Sequence, residues 1–538
     1  MSSELREESR EREQDGAEPG TEPDTGPRAD GDVTPDERDA LLTIAHGAVV
    51  TSGGVSVQRG LVAGTEFVLA RGLGPVAYGV YALAWRIAQL LVRLVTFGSV
   101  PTLQRYVPAF EDDPARRSRV AGLAYATTTG FGLAIAAAVW VLAPRIDAAT
   151  VDHPSFPPAM RLFGVLVLLL GVLMIYAALF RAVGSARGEV IFNKLLRPAV
   201  RLVGALVALA LGYSVVGVAG AFVACAAALV IVGFPATTSA TGIRPRLGGS
   251  RAEVRRFYDH AAPVAMSSLG KVFQNRVDIL LVGALLSATA AGVYNVVLVL
   301  ISIAWIPLLS FNQLLPPVAS DLHSSDRMET LNAVYSSVTR LIVTAVVPVL
   351  AIQAVFGREL LALFGATYAR GYLPLVVYLG GVFVGSAVGA TGWLLMMTDH
   401  QYARMALDWL LAALNVTLTY AFVSAFGLVG AALGTSLAIA VQNSLQVLLL
   451  RRFEGLWPFD ATYLKPLGGG VVMAGAMLGV RSAADGVPAV AGGMVVGLFA
   501  YVATLHLLGV DPRDRLVVRE LAARYREDLD EAVSRYRA

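Results

Sequence analysis

The sequence predicts an all-α, polytopic membrane protein of about fourteen transmembrane helices, arranged as two pseudo-symmetric six-helix lobes plus two C-terminal helices. Three observations carry this: recurrent apolar runs of bilayer length, positive charge concentrated in alternate connections and thinly spread in the others, and an internal repeat. The 538 residues are 56% hydrophobic and 15% charged, with a mean hydropathy of +0.62, whereas soluble chains are ~25% charged. A bilayer needs ~20 apolar residues at 1.5 Å each. Such runs fall near 44–70, 77–103, 120–143, 160–182, 195–213, 215–236, 260–286, 290–317, 332–356, 372–397, 403–424, 427–450, 464–481 and 487–509. The pairs 195–236 and 403–450 are interrupted by little more than a Gly-containing turn and read as helical hairpins.

Residues 1–40 carry fourteen acidic and five basic side chains and almost no aliphatic ones. They cannot bury enough surface to fold and read as a disordered cytoplasmic tail. The first apolar run begins only near Leu41, with no basic region before a short apolar core, so a cleaved signal peptide is not expected. The segment 510–538 mixes seven basic with seven acidic residues and spaces Val518, Leu521, Tyr525, Leu529, Val533 and Tyr536 at helical intervals. It reads as a charged cytoplasmic tail or a short amphipathic helix. The single Cys225 excludes an intrachain disulfide.

Cytoplasmic loops retain Lys and Arg during insertion. With the N-terminus inside, the even-numbered connections should be basic, and they hold Arg116, Arg117 and Arg119, then Arg181 and Lys194, then Arg244 to Arg256. The linker 237–259 is the most basic of these. The turns near Tyr213, Ala288 and Ala425 hold no Lys or Arg. Both termini are therefore expected in the cytoplasm, with the protein in the plasma membrane. The arginines are scattered between apolar runs and form no basic face, so nucleic acid is not an expected partner.

Leu73-Gly-Pro-Val-Ala-Tyr-Gly-Val-Tyr81 and Leu286-Ser-Ala-Thr-Ala-Ala-Gly-Val-Tyr294 match at an offset of 213, and Gly217–Ala221 matches Gly427–Ala431 at 210. The first and second sets of six spans thus read as copies of one unit, an N-lobe over 41–236 and a C-lobe over 260–450, with spans 13 and 14 at 451–509. Six is even, so the copies share one orientation, and two halves facing each other imply alternating access.

The phrase Ala70-Arg71-Gly72-Leu73-Gly74-Pro75-Val76-Ala77-Tyr78-Gly79-Val80-Tyr81 resembles the signature of polysaccharide and oligosaccharide flippases, within the multidrug, oligosaccharidyl-lipid and polysaccharide exporter superfamily. Asp278 to Gly283 leading to Gly292-Val293-Tyr294, and Leu363-Phe364-Gly365 with Tyr368, are similar to further segments of that family. The resemblance covers about 41–509 and implies a carrier of a polyprenyl or dolichyl (pyro)phosphate-linked oligosaccharide, moved to the outer leaflet of the membrane lipids. No cofactor is implied.

Ionised groups at mid-bilayer cost about 2.5–3.5 kcal/mol on insertion scales and need a reason. Arg59 and Glu66 share a face of span 1, Arg86, Gln89 and Arg93 one of span 2, and Lys271, Gln274, Asn275 and Asp278 one of span 7; Arg276 lies roughly opposite Asp278. Arg59, Arg86, Arg93, Lys271 and Arg276 against Glu66 and Asp278 make a cationic cavity suited to a phosphate. Arginine is favoured there because its guanidinium binds phosphate oxygens bidentately and stays protonated. Glu66 and Asp278, with Gln89, Gln274 and Asn275, would balance charge or bind a coupling proton or sodium ion. The alternative assignment makes Arg59–Glu66 and Lys271–Asp278 packing ion pairs. Arg201, Arg340 and Asp408 read as snorkelling residues near helix ends. Asn295, Asn312, Gln313, Asn415, Gln442, Asn443 and Gln446 line a sugar path or bond between helices. Pro263, Pro307 and Pro316 mark expected kinks. An ion-coupled multidrug exporter of the same superfamily is the nearer alternative, its cavity expected to favour carboxylates. A multispan lipid-carrier glycosyltransferase is more distant, since every outer loop is short and Glu111-Asp112-Asp113 falls on the cytoplasmic side.

Overall fold

The computed structural model describes residues 34–526 except 186–187, 189, 274–276, 485, 510, 518, 521–522 and 524–525; residue 50, residues 193–194 and residues 267–273 are described by backbone alone. The acidic segment 1–33 and most of the C-terminal segment lie outside the described residues. No strand occurs among the described residues.

The run Pro35–Val95 is helical except at Gly74 (φ 75°). Fifteen residues of continuous helix would span ~22 Å, yet the Tyr81 hydroxyl bonds Glu66. The chain therefore reverses at Gly74, giving α1 (35–73) and α2 (75–95). The helix begins at Pro35, capped by Thr34, rather than near 44, because a capping residue, proline at the first turn and acidic residues start a helix without apolar content. Then follow α3 (Ser99–Ala109), α4 (Pro114–Ala148), α5 (Phe156–Ala182), a π-type turn Val190–Leu196, α6 (Arg197–Ala210) and α7 (Val215–Thr241).

The second half continues with α8 (Arg251–Phe273), α9 (Val277–Leu285), α10 (Ala288–Ala304), α11 (Ile306–Phe311), α12 (Leu315–Ser324), α13 (Met328–Ala362), a 3-10 turn Ala366–Gly371, α14 (Tyr372–Ala387) and α15 (Thr391–Met397). The run Gln401–Glu454 breaks at Gly427 (φ 60°) into α16 (401–426) and α17 (428–454). Gln442 donates to the Leu407 carbonyl (3.3 Å), so this run is a hairpin. Only glycine adopts such backbone without strain, which is why both reversals use it. α18 (Leu464–Ala483) and α19 (Gly486–Leu507) close the order.

By length and composition nine helical runs among the described residues can cross a membrane, two of them, Pro35–Ala109 and Gln401–Glu454, containing the reversals. The chain is a polytopic, all-helical membrane protein. Expected spans 8 and 10 are corrected in detail: the first is α10, α11 and α12, and the second is α14 and α15. Pro307 and Pro316 each stand in the first turn of a new helix, whereas Pro263 lies inside α8. Proline lacks the N–H that would continue the preceding ladder, and hydropathy does not register such breaks.

The two copies of the repeat meet. Gly79 of α2 faces the Ala288 carbonyl so closely that a Cβ would overlap it, and a Cβ on Gly292 of α10 would lie 2.8 Å from the Pro75 carbonyl and 3.2 Å from the Gly79 Cα. Small residues let helix backbones approach in a membrane. Around this contact Phe67 meets Phe364 (5.5 Å), Tyr78 meets Tyr368 (5.8 Å), and Arg71 donates to the Leu363 carbonyl (2.8 Å).

Arg340 does not snorkel. It is 2% exposed on α13 and holds Asp460 (2.6 Å), Asp511 (3.0 Å), Asp514 (2.8 Å) and the Thr462 hydroxyl (2.7 Å). Arg513 pairs with Glu37 (2.5 Å) and Arg38 with Glu520. The described part of the tail is helical over 512–517 and is tied by these charges to α13 and to the start of α1.

Candidate functional site

Along α2 from the turn at Gly74, Gly79 meets α10, then Tyr78 and Tyr81 reach Glu66, and then Trp85, Arg86, Gln89 and Arg93 face a cavity of about 660 Å³. α1 contributes Arg59 to its wall and α6 contributes Arg197 and Arg201; Met174 of α5 is also on it. Five arginines thus share one wall, and none of its described residues is a carboxylate. Like charges gathered on one wall repel one another, so such a surface favours an anion.

Glu66, 4% exposed, is not on this wall but bonds Arg201, which is. Its carboxylate accepts from Tyr78 (2.9 Å), Tyr81 (3.3 Å), Arg201 (2.9 Å) and Asn295 (3.2 Å). Its ion-pair partner is therefore Arg201, not Arg59. The sequence spacing put Arg59 and Glu66 on one face of one helix, but packing of α6 against α1 and α2 brings a cation closer. The Arg201 guanidinium stacks on the Trp85 ring at 3.9 Å and also donates to Tyr81, and the residue is 7% exposed. It is buried and fixed, which corrects the snorkelling assignment. A guanidinium is less strongly hydrated than an ammonium and can stack while it hydrogen-bonds, which suits a buried position.

Asn295 of α10 joins the two halves of the chain. Its amide nitrogen donates to Glu66 and to the Tyr78 hydroxyl (2.7 Å), and its carbonyl accepts from Arg86 (3.2 Å). Arg86 also donates to Gln89 (2.8 Å). The interhelical bonding alternative thus holds for Asn295. Arg93 is exposed to the cavity, and neither it nor Arg197 has an ion-pair partner among the described residues.

Asp278, 1% exposed, accepts from the Tyr294 hydroxyl at 2.9 Å. Tyr81 and Tyr294 occupy equivalent repeat positions, so each half sets a tyrosine on a buried carboxylate. Gln274, Asn275 and Arg276 lie outside the described residues, as does the Lys271 side chain. Asp408 pairs with Arg404 (3.0 Å) and accepts from Gln442 (2.9 Å), a half-buried polar link and not an isolated snorkelling carboxylate.

Sequence reasoning missed Arg197 and the role of Arg201. The signal was present: the two are four residues apart, hence on one face of α6, in an otherwise apolar span. A second cavity, of about 250 Å³, gathers Asn312, Gln442, Asn443 and Gln446 with Trp305 and Trp393. Gln313 and Asn415 are not on its wall; Asn415 bonds Thr435 (3.4 Å).

No curated relative matches the chain by sequence. Among solved structures, a lipid II flippase, MurJ, in an inward closed conformation is 11% identical over 86% of this chain and 98% of its own, with a TM-score of 0.70. A multidrug-resistance MATE transporter of the MOP superfamily, inward-facing, is 14% identical over 76% and 98%, with a TM-score of 0.65. A MOP-superfamily transporter from Pyrococcus furiosus is 17% identical over 79% and 99%, with a TM-score of 0.53. These likenesses give the fold of the MOP-superfamily transporters. The family model of a polysaccharide biosynthesis protein matches residues 68–371, over half of the chain; the match begins just after Glu66 and covers the glycine contact and the cavity arginines Arg86, Arg93, Arg197 and Arg201. On that match the chain belongs to the polysaccharide biosynthesis protein family, built on the MOP transporter fold.

Proposed function

We propose that this protein is a flippase that moves a lipid-linked oligosaccharide from the cytoplasmic to the outer leaflet by alternating access, for surface polysaccharide or protein glycosylation. The observation that carries the reading is the wall formed by Arg59, Arg86, Arg93, Arg197 and Arg201, with no carboxylate among its described residues. A polyprenyl or dolichyl (pyro)phosphate presents oxygens that guanidinium groups grip bidentately, and a cavity for cationic drugs would need the opposite sign. MurJ, with the same fold, is named a lipid II flippase, which supports a lipid-linked substrate here.

In this reading the N-lobe 41–236 and C-lobe 260–450, joined by the basic linker 237–259, rock against each other in the plasma membrane, with both termini cytoplasmic. Charge bias assigns the Gly74 and Ser287 turns to the outside. The glycine contact then closes the outer end, and the arginine cavity, farther along α2, opens inward. Glu66 serves to hold Arg201 and the lobe-bridging Asn295 in place. A coupling ion, if one is used, falls to Asp278.

The test is export of surface glycan by cells whose gene carries Arg86→Gln, Arg93→Gln or Arg197→Gln. Each change keeps hydrogen bonding and removes one charge, so export should fall at least tenfold at an unchanged protein level in the membrane, and Lys should restore it only in part. Wild-type export by the triple variant would overturn the reading.

A further inference from the structure

The second cavity has a different chemistry from the first. It lies between α11 with its flanking residues, α14–α15 and the α16–α17 hairpin, and its about 250 Å³ is just under the ~300–1,000 Å³ common for small-ligand pockets. The charged residue on its wall, Arg404, is neutralised by Asp408 at 3.0 Å and covers Gly392. What remains is amide and aromatic. Trp393, 41% exposed, and Trp305 line it.

The amides are only partly satisfied within the protein. Gln446 accepts from Thr391 (3.2 Å), Gln442 donates to Leu407 and Asp408, and Asn443 donates to the Ile439 carbonyl (2.9 Å). Among the described residues, the Gln446 nitrogen and the carbonyl oxygens of Gln442 and Asn443 have no hydrogen-bond partner. The Asn312 carbonyl oxygen is buried without one. Burying such groups unsatisfied costs about 1–3 kcal/mol each, so an apolar lipid chain is a poor occupant. Without a free charge, a phosphate is a poor one too.

We propose that this cavity binds the uncharged sugar portion of the transported molecule, Trp393 and Trp305 stacking on the C–H face of a ring and the four amides bonding its hydroxyls. A hydroxyl both donates and accepts, and an amide side chain offers both partners; the negative face of an indole attracts the C–H-rich side of a pyranose. Division of labour follows: arginines take the anionic head, amides and indoles take the neutral glycan. The assignment rests on the lipid-linked oligosaccharide reading above and names the second half of the chain as the part that senses the sugar.

The experiment compares glycan export and membrane abundance in cells carrying the full-length protein with Trp393→Ala, Asn443→Leu or both, alongside Trp393→Phe and Arg93→Gln. Trp393→Ala with Asn443→Leu should cut export at least tenfold at unchanged abundance, while Trp393→Phe, which keeps a ring face, should retain most of it. Should Trp393→Ala lower abundance, Asn443→Leu alone, half-buried on the same wall, decides the matter. Export within twofold of wild type in the amide and tryptophan variants, with Arg93→Gln inactive, would refute the sugar site and leave the flippase reading standing. Wild-type export in Arg93→Gln as well would remove both. An equal loss in Trp393→Phe and Trp393→Ala would refute stacking. In purified full-length protein, inorganic pyrophosphate should raise the melting temperature of the Trp393→Ala variant as much as that of wild type; a lost shift would mean that the two cavities are not separate sites.

Discussion

Gly79→Ala tests whether the contact between the two repeats is the closed outer end of a transport cycle. The added methyl would overlap the Ala288 carbonyl, which is backbone and cannot rotate aside, and on the facing side even a Cβ on Gly292 would lie only 3.2 Å from the Gly79 Cα. α2 and α10 must separate to admit it. Overpacking of this kind costs about 1–3 kcal/mol. The better helix propensity of alanine, up to about 1 kcal/mol, acts in every conformation in which α2 is helical and so cancels between them. The net penalty falls on the closed state alone and shifts the population away from it by about 5- to 150-fold. Phe364 is 7% exposed at this end, packed on Phe67. With Cys225, the sole native cysteine, replaced by serine, a Phe364→Cys reporter should react slowly with a membrane-impermeant maleimide added to intact cells. Gly79→Ala should speed that reaction by about tenfold or more and reduce export. Gly292→Ala should do the same, and the double variant should add little, because both wedge one contact. An unchanged labelling rate with normal export would refute the argument.

Arg201→Gln should lower the amount of folded protein, since removing one member of a buried ion pair costs about 3–5 kcal/mol. Adding Glu66→Gln should restore the level measured by size-exclusion fluorescence but not export. Arg340→Gln leaves Asp460, Asp511 and Asp514 facing one another without their cation and should destabilise by about 3–5 kcal/mol, read as a lower melting temperature, whereas cutting the chain after Gly509 should be milder because it removes two of those carboxylates too. The hydrogen bond from Arg119 and that from the Ser250 backbone hold the Glu253 carboxyl below its ordinary range. This depressed value makes the contribution of the α4–α8 contact constant above ~4.3, the usual glutamate value, and lost as pH falls through the lower folded one. Hydrogen exchange of residues 250–256 should rise only under that acidity, and an onset near neutrality would contradict the assignment.

The amino-acid sequence was enough for the fold class, the position of most apolar helices and the arginines of spans 1 and 2, and it carries the internal match between its two halves. Hydropathy, reversal glycines such as Gly74 and Gly427, and charge are local properties, legible along one chain. Arg59, Arg86 and Arg93 were found because arginine inside an apolar run is costly wherever the helix packs. The tertiary structure alone decided the pairings. Which cation meets Glu66 depends on how α6 is rotated against α1, and Arg201 lies 135 residues away. Asn295 bridges to Glu66 across 229 residues, and Arg340 collects carboxylates from segments up to 174 residues distant. Hydrophobicity fixes that a helix crosses the bilayer but not its azimuth, and in lipid the azimuth is set by small-residue contacts and polar bonds between helices. That is why seven scattered amides could not be divided in the sequence, whereas packing drew Asn312, Gln442, Asn443 and Gln446 to one wall and sent Asn295 and Asn415 to interhelical bonds.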